Sequence, residues 1–311
     1  MIDLHSHSTA SDGTLSPTQL VEKAAQAGVR TLALTDHDCI AGIEEANQAA
    51  QEHGIKLVPG IELSVMWSKR TLHIVGLDID IEHAGLNAAL ADAVSFRLRR
   101  GREIGEKLEK IGIEGAFEGA CAVAGGSLIS RSHFAHFLVA HGYAKDIRQV
   151  FKRYMIKGKP GHVAGEWMSL ERGIELIHQA GGVAILAHPA RYNLSRTKLR
   201  GLLKELKSQG VDGIEVVSGS HSQDENKTMA QHALDFDLPA SQGSDYHGPE
   251  KPWVQLGRLP PMHYRCKPIW EAGLNIALPQ GNADQQRKPV IASTAKGDTS
   301  PSRGNLPRLN Q

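Results

Sequence analysis

Cysteine is scarce in this chain: Cys39, Cys121 and Cys266 are the three among 311 residues. They are widely spaced, form no CxxC pair and leave one odd thiol, which argues against a disulfide framework and a cysteine-built zinc cage. All three are expected as small buried side chains. Long apolar runs are missing too. No stretch reaches the roughly 18 to 20 continuous apolar residues that a membrane helix needs. The opening MIDLHSHSTASDG has neither the basic start nor the apolar run of a signal peptide. A cytoplasmic protein without membrane attachment is the expectation. Charge of one sign is also lacking, since 35 Lys and Arg face 34 Asp and Glu for a formal net charge of +1. That balance excludes the broad basic surface by which proteins hold long nucleic acid nonspecifically, so a nucleic-acid substrate would be gripped locally. With 41% hydrophobic residues over this length, there is ample material for the core of one large domain or two average ones.

What is abundant is histidine, with 16 residues against 6 Met and 4 Trp. Its placement follows the secondary-structure pattern. Strands are predicted over 2–4, 31–34 and 57–59, alternating with helices over 17–27 and 43–53. Ser16 fits a helix cap, with Pro17 in the first helical position and Gly28 as the stop. After a strand over 71–77 the alternation breaks, and residues 86–165 read as helical and charged, an insert without a strand. The alternation returns with helices over 170–180 and 199–209 and strands over 183–187, 213–217 and 239–243. Parallel βα units of this number close most readily into a barrel, whose functional groups sit where strands run out into loops. The expected organisation is an α/β barrel over residues 1–85 and 166–277, interrupted by the insert. Residues 278–311, polar and rich in Gly, Pro, Ser and Gln, are expected to be disordered.

The predicted strand ends collect ionisable groups. His5 and His7 follow the first strand two residues apart, so in extended geometry both face one side. Asp12 lies in a Ser-Asp-Gly turn, His37 in Thr35-Asp36-His37-Asp38, Glu62 in Gly60-Ile61-Glu62, and His73 within the next strand. His188 ends VAILA, and Asp245 and His247 close the last strand. Each has an ordinary structural explanation: a strand-end histidine is commonly a hydrogen-bonded loop residue, and an Asp beside Gly caps its own backbone. Jointly those explanations fail, because unpaired carboxylates gathered on one rim repel and raise each other's pKa. Divalent cations resolve the conflict. Imidazole and carboxylate without thiolate suit manganese, zinc or iron, and nine candidate ligands supply two ions, or three if some bridge. Ions a few ångströms apart suit phosphoryl-transfer hydrolysis, where they activate water and stabilise the charge developing on the phosphoryl group.

In this order HSHSTASDG, LTDHD, GIE, LHIVG, AHPAR and GSDYH resemble the PHP family, the polymerase and histidinol phosphatase metal-dependent phosphoesterases. The insert segment ISRSHFA, with KGKPGHV, HPARY and SGSHS, is similar to the branch holding nucleoside 3′,5′-bisphosphate phosphatases and the 5′ to 3′ exoribonuclease RNase AM. The resemblance spans roughly residues 1–277. It implies a distorted (β/α)7 TIM-like barrel and two or three divalent metal ions, manganese first, with zinc and iron as alternatives. His5, His7, Glu62 and Asp245 would hold one ion; Glu62 would bridge to a second, held also by His73 and His188; and Asp12, His37 and His247 would form the third position. Asp12 stands where some relatives use histidine, which bears on occupancy of that third site.

Selectivity then falls to groups that reach over the ions. Arg191 lies three residues past His188, and Arg131 would arrive from the insert as a lid; a guanidinium fork matches phosphate oxygens. His133 is either a phosphate donor or a helix-packing residue. Ser220, with Ser218, either donates to phosphate or satisfies a turn. Trp67 and Trp167 are candidates for base stacking or for packing, and the run of basic residues over 97–102 is expected to be a solvated helix face. The implied substrate is a nucleoside 3′,5′-bisphosphate or the 5′ end of single-stranded RNA, with no obligate protein partner. Competing readings are a phosphatase of another monoester such as histidinol phosphate, a polymerase proofreading module, an amidohydrolase, and a noncatalytic metal- or RNA-binding protein.

Overall fold

The computed structural model describes residues 1–272; the expectation for residues 278–311 lies outside them. The strands β1 (Ile2–Asp3), β2 (Thr31–Leu34), β3 (Lys56–Trp67), β4 (Arg70–Leu77), β5 (Met168–Ser169), β6 (Val183–Leu186), β7 (Gly213–Ser218) and β8 (Ala240–Gly243) form one sheet. Its order is β1-β2-β3-β4-β6-β7-β8, with β5 beside β3. The sheet curls until its edges meet. Leu4 N–H donates to Gln242 O at 3.1 Å and His7 N–H to Tyr246 O at 2.9 Å, which makes a nearly closed barrel and leaves few strand edges unpaired.

The barrel is not uniformly parallel, as the βα alternation had suggested. β4 runs antiparallel to both β3 and β6. The expected strand over 57–59 in fact continues to Trp67, turns through Ser68 and Lys69, and returns as β4. Both turn residues have positive φ, +45° and +63°, as a two-residue hairpin turn of this twist requires. The reversal is what brings His73 to the rim. On β3, Val58 and Glu62 share a face, as do His73, Val75 and Leu77 on β4, by the two-residue period. Val58, Val75 and Leu77 pack with Ile2, Leu4 and Ile185 below the rim, and Glu62 and His73 stand above that apolar floor.

Helices cover the outside. α1 (Pro17–Gln26) starts with a capping box, Ser16 and Gln19 each bonding the other's backbone, with Pro17 in the first turn. With α2 (Ile43–His53) it buries Leu20, Val21, Ala46 and Ala50 against Leu32 and Leu34. Each fully buried Leu contributes about 1.5–3 kcal/mol. The insert comprises α3 (Ala84–Glu109), α4 (Ala116–Ala124), α5 (Arg131–Ala140), α6 (Ile147–Val150) and a π-helical turn over Phe151–Met155. It has its own core, with Leu108, Phe134, Leu138, Val150 and Met155 buried together. α7 (Leu170–Gln179), α8 (Arg196–Ser208) and α9 (Gln223–Phe236) complete the shell; α9 has no counterpart among the expected elements. Among the described residues, no helix is long and apolar enough to cross a membrane.

Two further expectations are corrected. The basic run over 97–102 is only half a solvated face: Arg99 and Arg102 are exposed, but Arg97 and Arg100 are not. Arg97 is 8% exposed, and its Nη2 and Nε donate to Asp38 Oδ2 at 2.5 and 3.1 Å. Arg100 donates to Val163 O at 3.0 and 3.3 Å. The guanidinium carbons of both lie over the Trp167 ring, 4.9 and 5.6 Å from its centroid, and Trp67 Nε1 donates to Glu205 at 2.8 Å. Both tryptophans are therefore engaged within the fold. Of the cysteines, only Cys266 is buried; Cys39 and Cys121 are half-buried, and all three are free.

Candidate metal centre

The loop after β1 shows why an HxH pattern aims two rings one way. Ser6, between the histidines, is stitched to the neighbouring β2 chain: its Oγ donates to Ala33 O at 2.6 Å and its N–H to Thr35 Oγ1 at 3.1 Å. His5 and His7 consequently sit side by side, their Nε2 atoms 3.1 Å apart. The loop carrying Asp12 is held by Asp36, which accepts from Ser8 N–H at 2.8 Å, Ser8 Oγ at 2.6 Å and Ser11 Oγ at 2.5 Å. Gly13 is needed there, because a Cβ would meet His7 O at 2.5 Å. Asp36 thus organises the loop and leaves Asp12 free to face the rim.

Glu62, fully buried, is the centre of the arrangement. Its Oε1 lies 2.8 Å from His73 Nδ1 and 2.9 Å from His188 Nε2. Its Oε2 lies 2.9 Å from His37 Nδ1, 3.2 Å from His7 Nε2 and 3.3 Å from His5 Nε2. Despite those three nitrogens, Oε2 has no hydrogen-bond partner, and neither does His37 Nδ1 or Asp12 Oδ1. Asp245, at φ +55°, places Oδ1 3.5 Å from His7 Nε2 and from His247 Nδ1. His247 Nε2 stands 3.5 Å from Asp12 Oδ1. Buried polar atoms normally find partners, so imidazole nitrogens and carboxylate oxygens converging with several left unpartnered have the donor chemistry of a cation site.

Three groups could each hold an ion: His5, His7, Glu62 and Asp245; His37, Glu62 and His73; and His7, Asp12, His37 and His247, with one ligand atom per residue within 4.8 Å of the others in its group. His7 and His37 each face two groups, a sharing the chain order does not reveal. His188 enters through Glu62 Oε1. All nine sequence candidates therefore meet on one rim. Burial would raise the pKa of Glu62, but His37, His73 and His5 outweigh it and hold the carboxyl well below its usual range. Burial lowers His37 to about 4, whereas at His7 burial is outweighed by Asp245 and Glu62, which raise it to about 9, so the rings divide a limited number of protons that a cation would displace.

The candidate substrate residues are more dispersed in role. Arg191 lies in a 3-10 turn over Pro189–Tyr192; its Nη1 donates to Asp245 Oδ2 at 2.5 Å, and that carboxylate raises its pKa. Arg131 begins α5 with its guanidinium carbon 5.6 Å from the Phe151 ring centroid. Its pKa is lowered by burial and by Arg97, against an opposing pull from Asp12. His133 Nδ1 accepts from Ser130 N–H at 3.1 Å, the reciprocal half of a cap on α5. Ser220 Oγ lies 3.0 Å from Ser218 Oγ in the turn after β7.

Two residues go beyond the sequence candidates. Ser130 Oγ donates to Asp12 Oδ2 at 3.1 Å, tying the insert to the rim. Glu215, buried in the middle of β7, lies behind His5 and His188. Its one sequence signal is a carboxylate inside the otherwise apolar run Ile214, Val216, Val217.

Comparison with known proteins agrees with this geometry. The chain is 46% identical over 269 residues to a 5′-3′ exoribonuclease of Haemophilus influenzae, covering 86% of this chain and 97% of the relative. It is 46% identical over 273 residues to a 3′,5′-nucleoside bisphosphate phosphatase of Chromobacterium violaceum, covering 86% and 95%. The solved structure of an amidohydrolase from Chromobacterium violaceum with bound sulfate superposes with a TM-score of 0.83 at 45% identity, covering 86% of this chain and 94% of that one. Residues 3–168 match the PHP domain, and with that match over more than half its length and relatives 46% identical, the chain belongs to the PHP domain family.

Proposed function

We propose that this protein is a metal-dependent phosphoesterase that hydrolyses the 3′-phosphate of nucleoside 3′,5′-bisphosphates and removes 5′-mononucleotides from the 5′ end of RNA. The observation that carries the reading is Glu62, one buried carboxylate within 3.3 Å of five imidazole nitrogens. His5, His7, Glu62 and Asp245 would hold one ion, Glu62 with His73 and His188 a second, and Asp12, His37 and His247 a third. The donor set fits manganese first, with zinc and iron as alternatives. Divalent cations there supply a nucleophilic water near neutral pH and neutralise charge developing on the phosphoryl group.

The chain's own residues choose the substrate. Arg131 carries a guanidinium with no ion pair among the described residues, half-buried at the start of α5, where a second phosphate would be its partner. Arg191 sits on the rim beside Asp245 and would close on the same phosphate from the barrel side. Ser220 offers a hydroxyl from the turn after β7, and His133 keeps the first turn of α5 in place. Residues 86–165 act as a substrate lid, consistent with Ser127 Oγ and Ser130 Oγ reaching Ser11 O and Asp12 at 3.2 and 3.1 Å.

Relatives with the two different activities fit this one geometry. In a bisphosphate the scissile group is the 3′-phosphate and the 5′-phosphate is the anchor; at an RNA end the same 3′-phosphate is the first internucleotide linkage. A net charge of +1 suits an enzyme that grips one terminal nucleotide, and the reading places the protein in the cytoplasm, where such substrates occur. The test compares initial rates on adenosine 3′,5′-bisphosphate, a 5′-phosphorylated oligoribonucleotide and histidinol phosphate, with manganese, zinc and iron in turn. The first two should be turned over and the third poorly. Preference for histidinol phosphate would replace this reading with that of a monoester phosphatase.

A further inference from the structure

Glu215 belongs to none of the three candidate ligand groups, and both of its oxygens are already engaged. Oε1 lies 2.9 Å from His5 Nδ1, and Oε2 accepts the His188 backbone N–H at 2.6 Å. The residue is 2% exposed. His188 has φ +28° and ψ 57°, a conformation uncommon for a residue with a side chain, which persists only where the surroundings hold it. Space for the carboxylate comes from β8: a Cβ on Gly243 would meet His5 Cβ at 2.2 Å and Glu215 Oε1 at 3.0 Å. A register shift between β7 and β8 falls at Glu215 and Val217, where the strand departs from regular pairing.

We infer that Glu215 is a positioning residue that sets two candidate ligands at once: it fixes the protonated nitrogen of His5 as Nδ1 and holds the His188 backbone in its left-handed turn. In a bond to an imidazole a carboxylate can only accept, so His5 Nδ1 carries the hydrogen, and a His5 that binds an ion does so through Nε2, on the side of Glu62 and Asp245. The bond to His188 N–H sets where that ring leaves β6, 2.9 Å from the other oxygen of Glu62. One buried charge, contributed by a strand that supplies no ligand, thereby governs both sides of the Glu62 bridge.

The inference rests on reading His5 and His188 as metal ligands, and the test separates the two. Glu215→Gln is nearly isosteric, but its amide cannot accept from both donors. If its oxygen serves His188 N–H, its NH2 meets His5 Nδ1, which must then present a lone pair and move its hydrogen to Nε2. Metal-free wild type and variant are titrated with manganese, with bound ion counted by elemental analysis and thermal unfolding followed without metal. Wild type should bind, and the variant should bind about 10- to 100-fold more weakly at unchanged metal-free Tm. Equal affinity and stoichiometry in the two would overturn the role of Glu215, whereas wild type that binds no ion would overturn the ligand reading itself. Should the variant not fold, long-range proton–nitrogen spectra of zinc-loaded wild type decide: hydrogen on His5 Nδ1 is expected, and hydrogen on Nε2 overturns the inference.

Discussion

The barrel rim and the helical insert treat buried charge in opposite ways. In the insert, Arg97 faces Asp38, which also accepts from Ser64 N–H at 2.7 Å. Burial alone would raise the Asp38 pKa, but Arg97 and that N–H hold it below its usual range. Arg100 next to it is engaged by a carbonyl and an aromatic ring. At the rim, by contrast, the Glu62 carboxylate is crowded by imidazoles with no guanidinium or ammonium beside it, and several of its neighbours' atoms lack partners. Charge neutralised from within is structural. Charge faced by imidazoles alone is different, because an imidazole that gives up its proton becomes a ligand and leaves the carboxylate to a cation.

The largest expected effect comes from removing the rim charge. Glu62→Gln, like Asp245→Asn, should lower turnover on the order of 1000-fold or more, given the several kcal/mol that cations contribute to such transition states. Both metal-free variants should keep the wild-type fold by circular dichroism, so that the loss reads on the ions and not on folding. Activity close to wild type in a sample of verified metal content would falsify the ligand role. Arg97→Met should do the reverse: it leaves Asp38 buried and unpaired and should cost about 3–5 kcal/mol of stability with the number of bound ions unchanged. Denaturant unfolding and elemental analysis check both halves, and Arg97→Met with Asp38→Asn should recover part of the loss. Loss of ions in Arg97→Met would dissolve the distinction between the two regions.

The same contrast explains what could be read in the sequence. The rim was legible because its candidate ligands obey local rules: His5 and His7 are two apart beside a short strand, and Asp245 and His247 repeat the spacing just after β8. The hairpin was not, because Ser68 and Lys69 adopt positive φ without the Gly or Asn that usually announces such a turn. Arg97 looked solvated because it stands in a basic run and its partner is 59 residues away. Glu215 is 210 residues from His5 and 27 from His188, so its role exists only after the barrel closes. Sequence patterns expose groups whose geometry is set within a few residues and conceal those completed by long-range pairing.

Arg131 sharpens the comparison from the insert side, as a half-buried guanidinium there with no carboxylate or carbonyl partner among the described residues. Arg131→Ala should lower kcat/KM on adenosine 3′,5′-bisphosphate and on 5′-phosphorylated RNA by about 10- to 100-fold, the worth of a charged hydrogen bond. A simple phosphate ester should lose little, and stability should barely move. Equal losses on all substrates would remove the second-phosphate clamp.

The smallest effect tests whether the two regions are coupled at all. Ser130 performs two tasks: its Oγ accepts from Ser132 N–H at 3.1 Å as the cap of α5 and donates to Asp12 Oδ2 at 3.1 Å. Ser16 performs only the first, capping α1 through Gln19 N–H at 3.2 Å. Ser130→Ala and Ser16→Ala should each cost about 1 kcal/mol of stability as lost caps. Only Ser130→Ala should also weaken binding of the most loosely held ion, because Asp12 loses the one hydrogen bond that orients its Oδ2 while Oδ1 faces His37 and His247. Ser130→Thr, which keeps the hydroxyl, should restore both properties. If metal titrations of the two alanine variants coincide, the bond between insert and rim is incidental, and Ser130 serves α5 alone.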